Sequence, residues 1–318
     1  MFALALVSKG VYAFYHDMKS ATLFLAGSLL IPCHSALAWS GPGHELIAAE
    51  AFRELSPGLK TKVTDILMAH PDYARWTNSF QPGGLDLPTF IFMRSATWPD
   101  EIRRTTGPNS IYDHPNWHYV DWALRPPNFP LGTEPSPTNN VIYGIEQLEK
   151  TLSDSNAVPE LKAASLSWLI HLVGDVHQPL HCSSLFNDTY PEGDRGGNEF
   201  YVKPADRVVR LHSIWDGLLG TRIHPQTQFN DAVRIDAQYS RSSLPELTKD
   251  TTPKSWSLES RQLAIDKGYL GGKLNGSTSS ETAPPLPEGY TTTAKEVAEK
   301  QAALAGYRLA DEIRQYVK

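Results

Sequence analysis

Cysteine is scarce in this sequence, with two residues in 318. Cys33 falls inside a predicted export signal, and only Cys182 lies in the remainder of the chain. A single thiol cannot form an intramolecular disulfide, so the mature chain is expected to have none. We therefore expect a large hydrophobic core or bound metal to stabilise the fold.

Positive charge is also in deficit, because 29 Lys and Arg face 35 Asp and Glu and the formal net charge is −6. Such a chain has no global positive field that would attract a polyanion. Affinity for phosphate or nucleic acid must then come from a local site. Bound divalent cations can supply there the charge that lysine and arginine do not.

The N-terminal apolar stretch, residues 21–31, is too short for a membrane-spanning helix of about 20 residues. It is followed by the small-residue pattern Ala36-Leu37-Ala38, which is typical of a cleavage site. We interpret residues 1–38 as a cleaved export signal, for which Met18 is a more ordinary start than the first residue. Cleavage would leave Trp39 as the first residue, and no membrane anchor is predicted.

Strand-like alternation is rare, whereas apolar residues recur at three-and-four spacing in several stretches. These stretches predict helices at about 44–55, 57–69, 139–153, 158–177, 254–268 and 292–316. The predicted fold class is therefore mainly α, with at most a short β-hairpin between Glu199 and Leu211. Segments 124–139 and 184–199 are rich in turn residues and are expected to be surface loops. No linker divides residues 39–318, so we predict a single domain there.

The densest group of metal-ligating residue types is His171 and Asp175 with His181, followed by His212 and Asp216. A spacing of four places the imidazole and the carboxylate of each His-x-x-x-Asp pair on one face of a helix. One such pair is often only a surface hydrogen bond, but two pairs with a third histidine indicate a metal site. Imidazole and carboxylate without a thiolate cluster favour zinc, with manganese or iron as alternatives. No Ser-His-Asp or Cys-His arrangement indicates a side-chain nucleophile.

Three further segments add ligand types, although each is ambiguous when taken alone. Asp100 follows Trp98 and Pro99 and could simply cap a helix, and His118 lies between two aromatic residues and could be a core histidine. The third segment is the one that cleavage would expose, with Trp39 first and His44 five residues later.

Taken in order, these motifs resemble the trinuclear-zinc single-strand nuclease / 3′-nucleotidase family, which includes fungal enzymes and mung bean nuclease. The resemblance runs from Trp39 through Gly196-Gly197-Asn198 to a closing segment at Gly306. It implies a helical fold of the zinc phospholipase C / single-strand nuclease type and three zinc ions per chain. It implies these ligands: Asp100, His118, His171 and Asp175 for one ion, His181, His212 and Asp216 for a second, and His44 with the terminal amine and carbonyl oxygen of Trp39 for a third, bridged by Asp175. The missing fungal disulfides favour a bacterial member.

The same resemblance implies an endonuclease that hydrolyses single-stranded DNA and RNA to 5′-phosphate products by attack of a metal-activated hydroxide, with 3′-nucleotidase activity. The matched positions give Asp100 and Arg103 catalytic roles, and Arg103 would steady the phosphate charge. Tyr119 would stack on a base, and Asp121 and Asn198 would contact base edges. The expected partners are single-stranded DNA, RNA and 3′-nucleotides, with no obligate protein partner. The expected location is periplasmic or secreted.

Two alternatives stay open. A zinc phospholipase C shares the N-terminal tryptophan, the metal cluster and the fold, and differs mainly in its substrate. A non-catalytic exported protein that binds metal for stability or sequestration is the other. Four histidines match no family role and are interpreted as surface or supporting residues: His70, His114, His177 and His224.

Overall fold

The computed structural model describes residues 39–103, 106–126, 129 and 134–317. The predicted export signal, residues 1–38, lies outside the described residues. The prediction of a mainly α fold is confirmed. The helices are α1 (Gly41–Glu54), α2 (Pro57–Leu67), α3 (Tyr73–Ser79), α4 (Leu87–Ser95), α5 (Trp98–Glu101), α6 (Val141–Ser153), α7 (Pro159–Asp175), α8 (Leu211–Asp216), α9 (Pro225–Gln238), α10 (Glu246–Lys249), α11 (Pro253–Leu263) and α12 (Tyr290–Tyr316).

Proline marks the start of several helices, as the sequence pattern indicates. Pro57 and Pro159 are the first residues of α2 and α7, where the missing proline N–H costs no intrahelical hydrogen bond. The predicted helices at 57–69, 158–177 and 292–316 end within two residues of the observed bounds. Helix α11 continues into a π-helical turn, Ala264–Gly268, so the predicted 254–268 stretch is one α-helix followed by a wider turn.

Helix α1 lies at the centre of the core. All of its residues from Pro42 to Phe52 are buried, and it packs against α4, α7, α9 and α12. At the crossing with α12, a Cβ atom on Gly306 would lie 2.4 Å from Glu50 Cγ, so the two backbones approach to a distance that only glycine allows. Helix α7 is likewise buried from Ala163 to Asp175. The two central helices therefore carry side chains that water does not reach.

Strands are short. A parallel pair, β1 (Ala123–Leu124) and β2 (Ser184–Leu185), was not predicted, because two residues are too few to show alternation. The predicted hairpin is confirmed as the antiparallel pair β3 (Tyr201–Val202) and β4 (Val209–Arg210). No helix among the described residues is both long enough and apolar enough to span a bilayer.

The prediction of a surface loop at 184–199 is wrong for part of that segment. Asp194 is fully buried, and Gly196 and Gly197 are buried beside it. The segment turns inward because the Asp194 carboxylate accepts hydrogen bonds from the Leu185 backbone N–H at 2.8 Å and the Tyr269 hydroxyl at 2.7 Å. Turn residues indicated a loop here but did not indicate which side of it faces the core.

Candidate metal centre

Four side chains from three parts of the chain meet beside the C-terminal half of α7. His171 and Asp175 come from α7, Asp100 from α5, and His118 from the segment before β1. Asp175 Oδ2 lies 3.0 Å from His118 Nδ1 and 3.1 Å from His171 Nε2, and these two ring nitrogens are 3.0 Å apart. Asp100 Oδ1 is 3.8 Å from each of the same nitrogens. The four atoms therefore surround one point, as ligands of a single cation would.

The orientation of His171 is fixed by the backbone. Its Nδ1 lies 2.8 Å from the carbonyl oxygen of Ala96, and because a carbonyl can only accept, Nδ1 carries the hydrogen. Nε2 is then left as an acceptor that faces two carboxylates and another imidazole nitrogen. Such a set of lone pairs is stable only around a shared proton or metal ion, and a backbone-held imidazole is the usual arrangement of a metal ligand.

A second group contains His181, His212 and Asp216. His181 Nδ1 donates to the His118 carbonyl and His212 Nδ1 donates to the Gly196 carbonyl, each at 2.6 Å. Both Nε2 atoms are therefore acceptors, yet they lie 3.1 Å apart, and Asp216 Oδ1 is 3.5 Å from the His212 Nε2. Two facing lone pairs repel each other, so this geometry also fits a cation held between the rings.

His44 forms a third group with Asp175 and His171. Its Nε2 lies 3.4 Å from Asp175 Oδ1, and neither ring nitrogen has a hydrogen-bond partner among the described residues. The ring stacks on His171 with centroids 3.9 Å apart. Gly174 permits this approach, because a Cβ atom there would lie 2.9 Å from His44 Nδ1. The two oxygens of Asp175 thus face two different groups.

Trp39 is buried beside this third group. Its indole Nε1 donates to the Gly174 carbonyl at 3.0 Å, and the next residue, Ser40, donates its backbone N–H to the Asp216 carbonyl at 2.9 Å. The segment that begins at Trp39 is therefore attached to α7 and α8, two of the helices that carry candidate ligands. This is where a terminal amine would have to lie to join the groups.

Burial keeps most of the imidazoles neutral. It lowers the pKa of His118 and His212 to about 3 and, with the charge of His171, lowers the pKa of His44 to about 4. Burial also acts against charge on His171, but the Asp175 and Asp100 carboxylates outweigh it and raise the pKa to about 9. In the absence of a metal ion a proton thus occupies the negative centre of the first group. Metal binding would displace that proton.

The predicted substrate residues lie around these groups. Arg103 is half-buried. Burial is the main cause that lowers the pKa of His118, His181 and His212, and the Arg103 charge lowers each of them further, so Arg103 lies near the first two groups. Asp121 is half-buried, and burial and then Asp194 raise its pKa to about 6.

Tyr119 and Asn198 are also half-buried, and each side chain makes a local hydrogen bond. The Tyr119 hydroxyl donates to Asn116 Oδ1 at 3.0 Å, and Asn198 Nδ2 donates to the Arg195 carbonyl at 2.9 Å. Neither bond involves a residue of the metal groups.

Two buried residues that the sequence analysis missed support the second group. Gln178 Nε2 donates to Asp216 Oδ1 at 2.8 Å, while Gln178 Oε1 accepts the Leu180 backbone N–H at 2.6 Å. Asp194 fixes the turn whose Gly196 carbonyl holds the His212 ring. The available signals were the position of Gln178 between two histidines and of Asp194 two residues before a Gly-Gly pair.

Two of the four unassigned histidines are buried, so a surface position is wrong for them. His177 Nδ1 donates to the Val173 carbonyl, and Nε2 accepts from Arg308 Nη1, each at 2.7 Å. His70 Nδ1 accepts the Asp72 backbone N–H at 3.1 Å. His114 is half-buried against an indole ring, and His224 is exposed. None of the four belongs to the three ligand groups.

Comparison with known proteins gives one consistent result. Residues 39–318 match the sequence model of the family described as S1/P1 Nuclease. Endonuclease 4 of Arabidopsis thaliana is 24% identical over 227 residues, which cover 68% of this chain and 73% of that protein. Nuclease P1 of Penicillium citrinum is 24% identical over 296 residues, covering 87% of this chain and 97% of that protein. Endonuclease 1 of Arabidopsis thaliana is 26% identical over 324 aligned positions, with 92% of each chain covered.

Proposed function

The chain belongs to the S1/P1 nuclease family and is therefore an endonuclease of the phosphodiesterase class, and from this premise we propose that its activity depends on three zinc ions. We further propose that it cuts single-stranded DNA and RNA to 5′-phosphate products and also acts on 3′-nucleotides. The observation that carries the proposal is the 3.1 Å separation of His181 Nε2 and His212 Nε2, two acceptors whose Nδ1 donors are already used.

The donor set fits zinc. Imidazole and carboxylate without thiolate, in groups of three or four, are the ligands that zinc takes in hydrolytic sites. Both ring nitrogens of His44 and the Oδ1 atoms of Asp100 and Asp175 are buried without a hydrogen-bond partner among the described residues, as expected of atoms that bind a metal. The proposed ligands are those named from the sequence: Trp39, His44, Asp100, His118, His171, Asp175, His181, His212 and Asp216.

When bound, such ions lower the pKa of a water molecule and neutralise the charge of the phosphate. The protein holds the ligand rings rigidly, because His171, His181 and His212 are each anchored through Nδ1 to a backbone carbonyl. We propose that the Arg103 guanidinium contacts the phosphate oxygens and limits the build-up of negative charge during cleavage. Asp100 would act as a ligand on the substrate side, where its side chain is 9% exposed.

We propose that bases are held by residues that follow the ligands in the chain. Tyr119, next to His118, would stack on a base, and Asp121 and Asn198 would bond to base edges. Stacking requires a base that is free of its duplex neighbours, and it contributes roughly 1–3 kcal/mol per base. A preference for single strands follows from that requirement.

Processing of the N-terminus would complete the third group. A free amine on Trp39 is a far better ligand than the amide nitrogen of an unprocessed chain. We therefore propose that residues 1–38 are removed on export to the periplasm or medium, and that residues 39–318 act as one domain without an obligate protein partner.

The test is to purify residues 39–318 and to measure metal content and turnover together. We expect about three zinc ions per chain, loss of activity with a chelator, and acid-soluble products from single-stranded DNA and RNA. Release of choline phosphate from phosphatidylcholine without nucleic-acid cleavage would identify a phospholipase C instead. Bound zinc without turnover on any phosphoester would indicate a metal-storage protein and would contradict the proposal.

A further inference from the structure

Two adjoining cavities lie beside β1, and no candidate metal ligand lines either of them. One has a volume of about 590 Å³ and the other about 340 Å³, and they share Arg125, Pro126 and Arg261 as walls. We call the joined cavities the arginine groove, after Arg125 and Arg261. Asn187 and Asn275 add amide groups to the walls of the larger cavity.

The charge of the arginine groove is opposite to that of the chain as a whole. Among its described lining residues the larger cavity has two arginines and no Asp or Glu, although the chain carries a net charge of −6. Glu134 lines the smaller cavity, but no described carboxylate lies within 4.0 Å of either guanidinium. The two positive charges are therefore available to an anionic ligand.

Arg125 also has an unsatisfied donor. Its Nη1 is buried and has no hydrogen-bond partner among the described residues, which is costly for a charged group. Arg261 is held in place, because its Nη2 donates to the Ala123 carbonyl at 2.9 Å and so fixes the guanidinium beside β1. A small rotation of the half-buried Arg125 side chain into the cavity would let a phosphate satisfy it beside a partner that is already positioned.

A continuous ribbon of backbone connects the arginine groove to the metal groups. The segment after His118 and the segment after His181 run parallel, joined by Val120 N–H to the His181 carbonyl at 2.8 Å. Further along, Ser184 N–H donates to the Trp122 carbonyl at 3.0 Å, and β1 pairs with β2. Two metal-ligand segments thus lead directly into the groove.

The ribbon also sets the distance. Arg125 follows His118 by seven residues, which span at most about 23 Å when extended. The groove therefore lies within about 23 Å of His118 along this route, which is within reach of phosphates several nucleotides along the same strand. Asp121, proposed to contact a base, lies between the two ends of this route.

From these observations we propose that the arginine groove binds the backbone phosphates of a single-stranded nucleic acid several nucleotides from the cleaved bond, through Arg125 and Arg261. This inference rests on the proposed function, since it extends the substrate path of the same site. It gives the enzyme a preference for oligomers over dinucleotides and mononucleotides, which cannot reach the groove.

The experiment compares one short and one long substrate in the metal-loaded protein. Compared with the wild type, R125Q/R261Q should show kcat/KM about tenfold lower on a single-stranded oligonucleotide of roughly 12 nucleotides, mainly through a higher KM. Its kcat/KM on a dinucleotide should stay unchanged. The slope of the logarithm of the binding constant against the logarithm of the salt concentration should become less negative by about 0.7 for each lost phosphate contact, or by about 1.4 for both. R125K/R261K, which keeps the charge, should recover most of the salt dependence.

The matched control removes two positive charges elsewhere. Lys60 and Lys62 lie on α2, which packs against α4 and α7. K60Q/K62Q should leave the ratio of kcat/KM on the long substrate to kcat/KM on the short substrate unchanged. Equal losses on both substrates, or an unchanged salt dependence in R125Q/R261Q, would overturn the inference. If the wild type cleaves neither substrate, the proposed function fails. Fluorescence anisotropy with a phosphorothioate oligonucleotide then tests separately whether the arginine groove binds nucleic acid. Binding must still weaken in R125Q/R261Q but not in K60Q/K62Q.

Discussion

Replacing Gln178 by methionine isolates the role of a single buried amide in the second metal group. Methionine keeps the length and approximate volume of the side chain but provides neither the donor to Asp216 nor the acceptor for the Leu180 N–H. No proposed ligand is altered by Q178M. Any effect on metal binding must therefore come from the orientation and charge of Asp216 and from the turn that carries His181.

The size of the effect follows from the contacts. A hydrogen bond to a carboxylate contributes about 1.5–3 kcal/mol, and leaving the buried Leu180 N–H unpaired costs about 1–3 kcal/mol. Loss of a residue that orients a metal ligand typically lowers affinity by about 10–100-fold, or about 1.4–2.8 kcal/mol. Burial already raises the pKa of Asp216 well above its usual range, and Gln178 opposes that rise. Q178M should therefore lose most affinity at low pH, where protons compete best.

Metal content and chelator titration of Q178M provide the measurement. We expect one of the three proposed ions to be bound about 10–100-fold more weakly while the other two are retained. Q301M is the matched control, because Gln301 is also buried but its amide donates to Ser260 Oγ at 3.4 Å and to no carboxylate among the described residues. Wild-type affinity in Q178M at every pH, or equal loss of all three ions in Q178M and Q301M, would refute the reasoning.

Three further predictions concern the other parts of the molecule. Asp100→Asn should lower turnover by on the order of 100-fold or more, because it weakens a proposed metal ligand on the substrate side, and circular dichroism should show an unchanged fold. Burial and then the charge of Glu149 raise the pKa of Glu312 to about 8 in the folded protein. Because the unfolded chain loses this proton at the ordinary pKa of glutamate, the wild type loses stability as the pH rises from that pKa to about 8. The difference in melting temperature between E312Q and the wild type should therefore shift by roughly 2–4 °C in favour of E312Q between about pH 5 and pH 8. A difference that stays constant over this range would contradict the prediction. A chain with one extra residue before Trp39 should bind about one zinc ion fewer and lose most activity, as mass spectrometry and a nuclease assay would show.

Local regularity explains what the sequence could predict. A separation of four residues on a helix fixes the relative direction of two side chains, so the pairing of His171 with Asp175 followed from the chain alone. The helices themselves followed from apolar spacing and from proline at their starts. The same holds for the hairpin, whose two strands are neighbours along the chain.

Long-range packing explains what the sequence could not predict without a family resemblance. Asp100 and His118 meet at α7 only because α5 and the segment before β1 pack there, and neither carries a local signal of that contact. Gln178 was missed because an amide that supports a ligand has no characteristic spacing. Arg125 and Arg261 lie far apart in sequence, so their shared cavity became visible only in three dimensions.

The close packing of Gly306 on Glu50 has a consequence for the order in which this enzyme is made. Helix α1 carries His44, and its other face is covered by α12, the last helix described. A ribosome has to release the chain through α12 before α1 has that partner, so a growing chain holds His44 on an unsupported helix until then. The metal centre that we propose around His44 is therefore completed only after α12 has emerged and docked.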